Sequence, residues 1–293
     1  MSKQFRADLM LVLVTAFWGT SYWLTDVCLV DMPPMFLNAF RFLSAFIVLA
    51  IFFYKRMLRL NRSTLRYSLL IGLALTGTYI FYGYGISRTS LSNAGFICGM
   101  PVLFTPFLDF IVNHKRPCRR MSLCLLMCVV GLALLTLNED MRPATGDIIC
   151  MGVPICYSID LLMMEKAVQI PDVDALSLGV CQLGVVGLIT LTISLLIEQP
   201  HFPTTAFAWG AALFLGLFCS GVAFVVQSVE QQYTSATHVG LIFTLEPLFS
   251  AILAYFVASE VLLTRGYIGM ALMFLSLVLM ELNTTKYTAE ADI

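Results

Sequence analysis

The sequence predicts an all-α polytopic membrane protein with ten transmembrane helices, arranged as two inverted five-helix repeats. The first observation behind this prediction is composition, since 59% of the 293 residues are hydrophobic, 12% are charged and the mean hydropathy is +0.87. A soluble domain of this size cannot remove so much apolar surface from water. The second is a series of long apolar segments separated by charged loops, and the third is a pattern that recurs between the two halves of the chain.

Most of the apolar segments are long enough to cross a hydrocarbon core of about 30 Å as a helix. The first is too long and too aromatic for a cleaved signal peptide, because Trp18, Tyr22 and Trp23 stand where small residues would form a cleavage site. Pro33-Pro34 breaks the chain before the second segment. The ten predicted segments are 8–28, 34–54, 66–86, 90–112, 120–137, 145–165, 174–197, 206–227, 235–257 and 264–282.

Lysine and arginine are distributed unequally between the two sides that ten crossings would define. Counted in alternate loops, 13 of the 17 basic residues fall on the side of the amino terminus and three on the other side, while Arg41 lies inside a helix. Loops rich in Lys and Arg stay in the cytoplasm. The sequence therefore predicts a multi-pass protein of the cytoplasmic membrane of the cell, with both termini in the cytoplasm.

Two similar halves of five helices each must insert in opposite orientations, because five is an odd number. This is typical of transporters built from inverted repeats. Residues 1–140 form the first predicted repeat and residues 141–293 the second. In the fourth and ninth helices Pro101 aligns with Pro247. Proline lacks an N–H donor and clashes with the preceding turn, so both helices should bend or break there.

Several motifs resemble those of a known family. They are Trp18-Gly19-Thr20-Ser21, the run from Pro34 to Phe42, the run from Ser92 to Ile97, and Leu245-Glu246-Pro247 followed by Glu260. Together they are similar to an EamA-type member of the drug/metabolite transporter superfamily. The resemblance implies ten helices in an inverted repeat, cytoplasmic termini, and a central cavity lined chiefly by helices one, three, four, six, eight and nine. Many members of that family export amino acids or other small metabolites.

Glu246 and Arg41 stand out among the charged residues within predicted transmembrane segments, where an ionisable group is costly. Glu246, directly before Pro247, either binds a proton or a cationic group, or hydrogen-bonds backbone that the proline leaves free. Arg41 is either an anion-binding or gating charge, or a structural one. Because Arg41 lies nearer the outer end of its segment, backbone carbonyls, Asp26 and Asp31 are the partners we expect for it.

Aromatic and polar side chains on other segments are candidate substrate contacts. Tyr79 and Tyr82 share a helix face. Together with Trp18, they either line a cavity or belong to the aromatic belt at the outer membrane interface. We assign Tyr22 to that belt. His238 either titrates near neutral pH or is structural. The predicted cavity residues are Trp18, Tyr79, Tyr82, Asn93, Tyr157, Asp160, Gln227, His238 and Glu246.

Several classes of function are disfavoured by the sequence. It contains no nucleotide-binding loop and no common catalytic motif, so the chain is predicted not to be an enzyme. Nine cysteines lie mostly in apolar runs without a CxxC pair, which favours buried thiols over a metal site, and no cofactor is expected. Basic residues confined to short loops predict no nucleic-acid partner.

The predicted function is secondary transport of small organic metabolites across the lipid bilayer by alternating access, either facilitative or proton-coupled. Export of amino acids or related amphipathic compounds is favoured. One alternative is uptake or exchange of a sugar, a nucleotide sugar or an organic anion bound by Arg41. Others are a membrane sensor without flux and an intramembrane enzyme, although no nucleophile and base are recognisable in the sequence.

Overall fold

Helices make up all the regular secondary structure in the part of the chain that the computed structural model describes, namely residues 3–86, 88, 97–114, 118–136, 145–258 and 263–291. In chain order the α-helices longer than four residues are α1 (Lys3–Leu29), α2 (Pro34–Phe52), α3 (Arg62–Ile86), α4 (Pro101–Asn113), α5 (Arg119–Thr136), α6 (Thr145–Cys150), α7 (Gly152–Val168), α8 (Ala175–Ile197), α9 (Ala206–Phe214), α10 (Ala223–Glu230), α11 (Ala236–Phe243), α12 (Glu246–Ala258) and α13 (Thr264–Ala291). A single helical turn, Tyr54–Met57, follows α2. A π-helical segment, Leu215–Val222, joins α9 to α10, and a 3-10 turn, Gln231–Tyr233, follows α10.

Seven helical segments in the described part of the chain are long and apolar enough to cross a membrane. They are Lys3–Leu29, Pro34–Phe52, Arg62–Gly85, Thr145–Val168, Ala175–Ile197, Ala206–Tyr233 and Ala236–Leu253. Two shorter apolar helices cover Pro101–Asn113 and Thr264–Leu279. Large apolar side chains such as Phe52, Leu196 and Phe256 are exposed on the outside of the bundle, as lipid contact requires. The all-helical class is confirmed, whereas the count of ten transmembrane helices stays a prediction.

The first half of the chain packs helix by helix against the second. α2 lies against α8, α3 against α7, α1 against α12, and α5 against α13. The largest buried cluster likewise draws on both halves, with Leu11, Phe42, Leu161 and Phe224 among its members. A site in the centre of the bundle therefore receives residues from both halves.

The start of α2 is capped by a side chain from the end of α8. Pro33, which precedes α2, offers no side-chain acceptor for the free N–H groups of the first turn. The Glu198 carboxylate accepts hydrogen bonds from two such groups. Met35 N–H donates to Oε1 and Phe36 N–H donates to Oε2, each at 3.0 Å. The Ser194 hydroxyl donates to Oε2 at 2.8 Å and holds the carboxylate in place. A negative charge here is also favoured by the helix dipole.

Replacing Glu198 by Ala is expected to lower the free energy of unfolding by about 1–3 kcal/mol, because two N–H groups lose their acceptor. The melting temperature of the purified protein in detergent measures this loss. Glu198→Gln keeps a side-chain oxygen that can accept one of the bonds, so it should lose less. Equal melting temperatures for the wild type and Glu198→Ala would show that the cap does not contribute.

Candidate functional site

A cavity of about 110 Å³ lies between the two halves of the bundle. Residues from α1, α2, α3, α7, α10 and α12 line it, and those on α1 come from the part of the helix distant from the amino terminus. At the roughly 30 Å³ that one water molecule occupies in the liquid, this volume corresponds to about four waters. Its lining residues are Trp18, Ser21, Tyr22, Thr25, Arg41, Leu75, Thr78, Tyr79, Tyr82, Cys98, Val153, Tyr157, Phe224 and Glu246.

Arg41 places a positive charge in the wall of this cavity. Its Nε donates to the Ser220 hydroxyl oxygen at 2.7 Å. The guanidinium carbon lies 5.5 Å from the ring centres of both Phe42 and Tyr79, within cation–π range. Ser220 belongs to the π-helical segment, an irregularity that is frequent at functional sites. Arg41 is only 5% exposed, and no carboxylate lies within 4 Å of it in the described part of the chain.

The expected pairing of Arg41 with Asp26 or Asp31 is wrong. Asp31 lies in the loop after α1 and accepts hydrogen bonds from the backbone N–H and the hydroxyl of Thr204, at 2.8 and 2.7 Å. These bonds lower the pKa of the Asp31 carboxyl, because they stabilise its ionised form. A serine hydroxyl and two aromatic rings, rather than an acid, therefore hold Arg41.

The helix predicted over residues 235–257 is interrupted at Thr244 and Leu245, just before Glu246 and Pro247. α11 ends at Phe243, and α12 begins at Glu246 after two residues in a tight turn. Proline cannot donate the hydrogen bond that would continue the first helix. Glu246 is thereby placed in the first turn of α12, at the positive end of its dipole.

The Glu246 carboxyl group meets α1 across a close helix contact. It lies near the Tyr22 hydroxyl and interacts electrostatically with Arg41 across the cavity. A Cβ atom added to Gly19 would lie 2.6 Å from the Phe249 Cβ and 3.0 Å from the Glu246 carbonyl oxygen. The glycine of the Trp18-Gly19-Thr20-Ser21 motif therefore lets α12 approach α1 closely enough for Glu246 and Tyr22 to meet.

Four aromatic rings pack together at the end of the cavity nearer the amino terminus, and we call them the aromatic floor: Trp18, Tyr157, Phe224 and Phe243. The centre of the Trp18 ring system lies 4.7 Å from Phe243, 5.3 Å from Phe224 and 6.2 Å from Tyr157. Its Nε1 donates to the Cys219 carbonyl oxygen at 2.8 Å, which fixes the indole. The floor separates the cavity from the polar groups beyond it.

Buried polar side chains lie beyond the floor, towards the amino terminus. The Tyr157 hydroxyl donates to Gln227 Oε1 at 3.3 Å, and Gln227 Nε2 donates to Asp160 Oδ2 at 3.4 Å. Still farther from the cavity, His238 Nε2 is 3.9 Å from Asp8 Oδ1. A hydrogen-bonded chain thus leads from the cavity wall to a buried carboxyl group.

The predicted site residues fall into separate groups. Those that line the cavity are Trp18, Arg41, Tyr79, Tyr82, Tyr157 and Glu246. Asp160, Gln227 and His238 are buried beyond the floor, and Asn93 lies outside the described residues. Pro101 begins α4 after a turn, in the same way that Pro247 follows the turn before α12. The roles of these residues stay predictions.

Several cavity residues were missed by the sequence analysis. Tyr22, which we assigned to the outer aromatic belt, faces the cavity together with Ser21 and Thr25. Their spacing of three, four and seven residues from Trp18 places them on one helix face and could have identified them. Trp23 does lie on the outside, where its ring centre is 5.8 Å from that of Phe207.

The cavity combines a fixed cation, a carboxyl group, several hydroxyl groups and aromatic walls. Such a site can bind a small polar solute by charge and hydrogen bonds while packing its apolar part against the rings. Among the described residues, no three His, Cys, Asp or Glu side chains are placed to hold a metal ion.

Comparison with known proteins identifies the family. The EamA-like transporter family matches residues 5–137 and, a second time, residues 144–282. The chain belongs to the EamA-like transporter family. The resemblance inferred from the motifs is confirmed. The family match and the apolar helices together identify the chain as a multi-pass membrane transporter.

Individual EamA-like relatives are distant in sequence but match along most of the chain. An uncharacterized transporter of Archaeoglobus fulgidus is 24% identical over 286 residues, which cover 96% of this chain and 87% of the relative. The uncharacterized transporter YyaM of Bacillus subtilis is 21% identical over 273 residues, covering 88% of each chain. A protein solved by crystallography superposes with a TM-score of 0.80 at 18% identity, over 96% of this chain and 98% of its own. That likeness supports the fold.

Proposed function

We propose that this EamA-like protein is a secondary transporter of small zwitterionic, amphipathic metabolites such as amino acids, and that it works by alternating access. The observation that carries the proposal is that Arg41 and Glu246 face one cavity with aromatic walls. A solute that has a carboxylate, an ammonium group and an apolar side chain is complementary to all three features.

Charge and size both favour this class of solute. Arg41 has N–H groups left to bind a carboxylate after its bond to Ser220, because a guanidinium carries five. Glu246 lies opposite and can accept from an ammonium group. At about 110 Å³, the cavity admits only a small solute. A nucleotide sugar is several times larger.

The packing of the two halves supports an alternating-access mechanism. We propose that the halves, residues 1–140 and 141–293, are inverted repeats and that the side of the amino terminus is cytoplasmic, in line with the distribution of basic residues. The aromatic floor then closes the cytoplasmic side, and opening it would expose the same cavity to the cytoplasm. We propose export as the direction of transport, because the motifs of the sequence resemble those of a family in which many members are exporters.

Counterflow in proteoliposomes tests the solute class. L-Leucine, isopentylamine and 4-methylpentanoate share one apolar group and differ in charge. L-Leucine carries both an ammonium group and a carboxylate, isopentylamine carries only the ammonium group, and 4-methylpentanoate carries only the carboxylate. We expect exchange to be fastest for L-leucine. Exchange of 4-methylpentanoate alone would favour an organic-anion transporter based on Arg41. Absence of exchange across a wider panel that includes sugars would favour a sensor without flux.

Replacing Glu246 by Gln is expected to raise the KM of L-leucine by about 10- to 100-fold, because an ammonium group loses a charged acceptor worth about 1.5–3 kcal/mol. 4-Methylpentanoate has no ammonium group, so its transport should change little. Tyr22→Phe is the matched control, since it removes the hydroxyl near Glu246 and keeps the carboxyl. An unchanged KM for L-leucine in Glu246→Gln would contradict the assignment.

A further inference from the structure

We propose that Asp160 is a proton-binding site that couples solute transport to a proton gradient, an inference that rests on the proposed function. Asp160 lies on α7, one turn beyond Tyr157, and is connected to the cavity through Gln227. It differs from Glu246, which faces the cavity directly.

Asp160 is buried inside the bundle. It is 1% exposed, and its only hydrogen bond within the described part of the chain comes from Gln227 to Oδ2. The second oxygen, Oδ1, has no partner there, and no Lys, Arg or His nitrogen lies within 4 Å. Burying an unpaired carboxylate in this way is very costly. The group is therefore neutral, with a proton bound, in this conformation.

Groups on the neighbouring helices do not offset that cost. The hydroxyls of Tyr79 on α3 and Tyr157 on α7 interact electrostatically with Asp160, and neither carries a positive charge. His238 on α11 is directed to Asp8 instead, at 3.9 Å. The remaining acids and amides on the helices around α7 have other partners: Glu230 on α10 lies 3.6 Å from Arg6, Asp109 on α4 accepts from Asn113, and Gln231 after α10 donates to the Leu161 carbonyl.

Opening of the side near the amino terminus would admit water to Asp160. The O–H bond of the carboxyl group then breaks, and the proton passes to water on that side. The negative charge left behind strengthens the bond from Gln227 Nε2. Because Gln227 Oε1 also accepts from Tyr157, a shift of the amide moves a hydroxyl group that lines the cavity. Reprotonation from the cavity side completes a cycle in which one proton enters as one solute leaves.

Proteoliposomes loaded at acidic pH, with the membrane potential clamped at zero, test this coupling. An inside-acid gradient of one pH unit should accumulate L-leucine up to about tenfold in the wild type, if one proton is exchanged per solute. Asp160→Asn retains the shape of the protonated side chain. It should keep L-leucine counterflow within about threefold of the wild type but lose gradient-driven accumulation. Asp109→Asn is the matched control and should retain accumulation. Asp109 is a second buried acid, and its carboxylate accepts a hydrogen bond from Asn113.

The outcomes separate this proposal from the proposed function. Accumulation in Asp160→Asn equal to the wild type would overturn the role of Asp160. Wild-type counterflow without gradient-driven accumulation would overturn proton coupling and leave the transport function intact. Absence of L-leucine counterflow in the wild type would contradict the proposed function itself. Gln227→Met removes the hydrogen bonds of Gln227 to both Tyr157 and Asp160, and it should also reduce accumulation. This variant tests the coupling independently if Asp160→Asn fails to fold.

Discussion

Replacing Arg41 by Gln is expected to lower kcat/KM for L-leucine by about 30- to 1,000-fold. The guanidinium is almost fully buried and is the one cationic side chain among the described residues that line the cavity. Removing one partner of a buried charge pair costs about 2–4 kcal/mol, which corresponds to this range. The measurement is the initial rate of counterflow across a series of L-leucine concentrations.

Two further measurements distinguish a solute-binding charge from a structural one. Isopentylamine has no carboxylate, so Arg41→Gln should leave its transport within about threefold of the wild type or improve it. Ser220→Ala removes the bond to Nε but keeps the charge, and should cost L-leucine transport about five- to tenfold. An equal loss for L-leucine and isopentylamine in Arg41→Gln, with a lowered melting temperature, would assign Arg41 to the stability of the bundle.

Much of the fold could be predicted from the sequence because each apolar run approximates the thickness of a bilayer. The second predicted segment, 34–54, differs from α2 by two residues at its end. The segment 235–257 is two helices, and Pro247 was the signal for the break. The π-helical stretch Leu215–Val222 had no such signal. It packs against α2, where Gly216 lies close to the Arg41 carbonyl oxygen.

The candidate site was predictable only where a residue was unusual for its surroundings. Arg41 and Glu246 stood out because a charge inside an apolar segment is costly. The partners of Arg41 could not be predicted, since Ser220 is 179 positions away and belongs to another helix. Tyr22 was misassigned because an aromatic residue near a helix end fits both an interface belt and a cavity wall.

Substituting Gly19 by Leu is expected to reduce transport to the background rate. A side chain here would meet backbone as well as side-chain atoms of α12, with the Ser250 nitrogen at 2.9 Å and the Glu246 carbonyl oxygen at 3.0 Å from the new Cβ. Backbone cannot move aside without shifting the whole helix. α12 would then separate from α1 and carry Glu246 away from Tyr22 and the cavity. Counterflow of L-leucine measures the loss.

Gly240 provides a matched control for this substitution. A Cβ added to Gly240 in α11 would have its nearest neighbour at 3.6 Å, which is ordinary van der Waals contact, so Gly240→Ala should transport normally. Gly19→Ala introduces only the Cβ atom and should lose about 10- to 100-fold in kcat/KM, in line with overpacking that costs about 1–3 kcal/mol. If Gly19→Ala melts at the wild-type temperature yet transports slowly, the defect lies in the placement of Glu246. Wild-type transport by Gly19→Leu would contradict the close contact between α1 and α12 as a requirement for function.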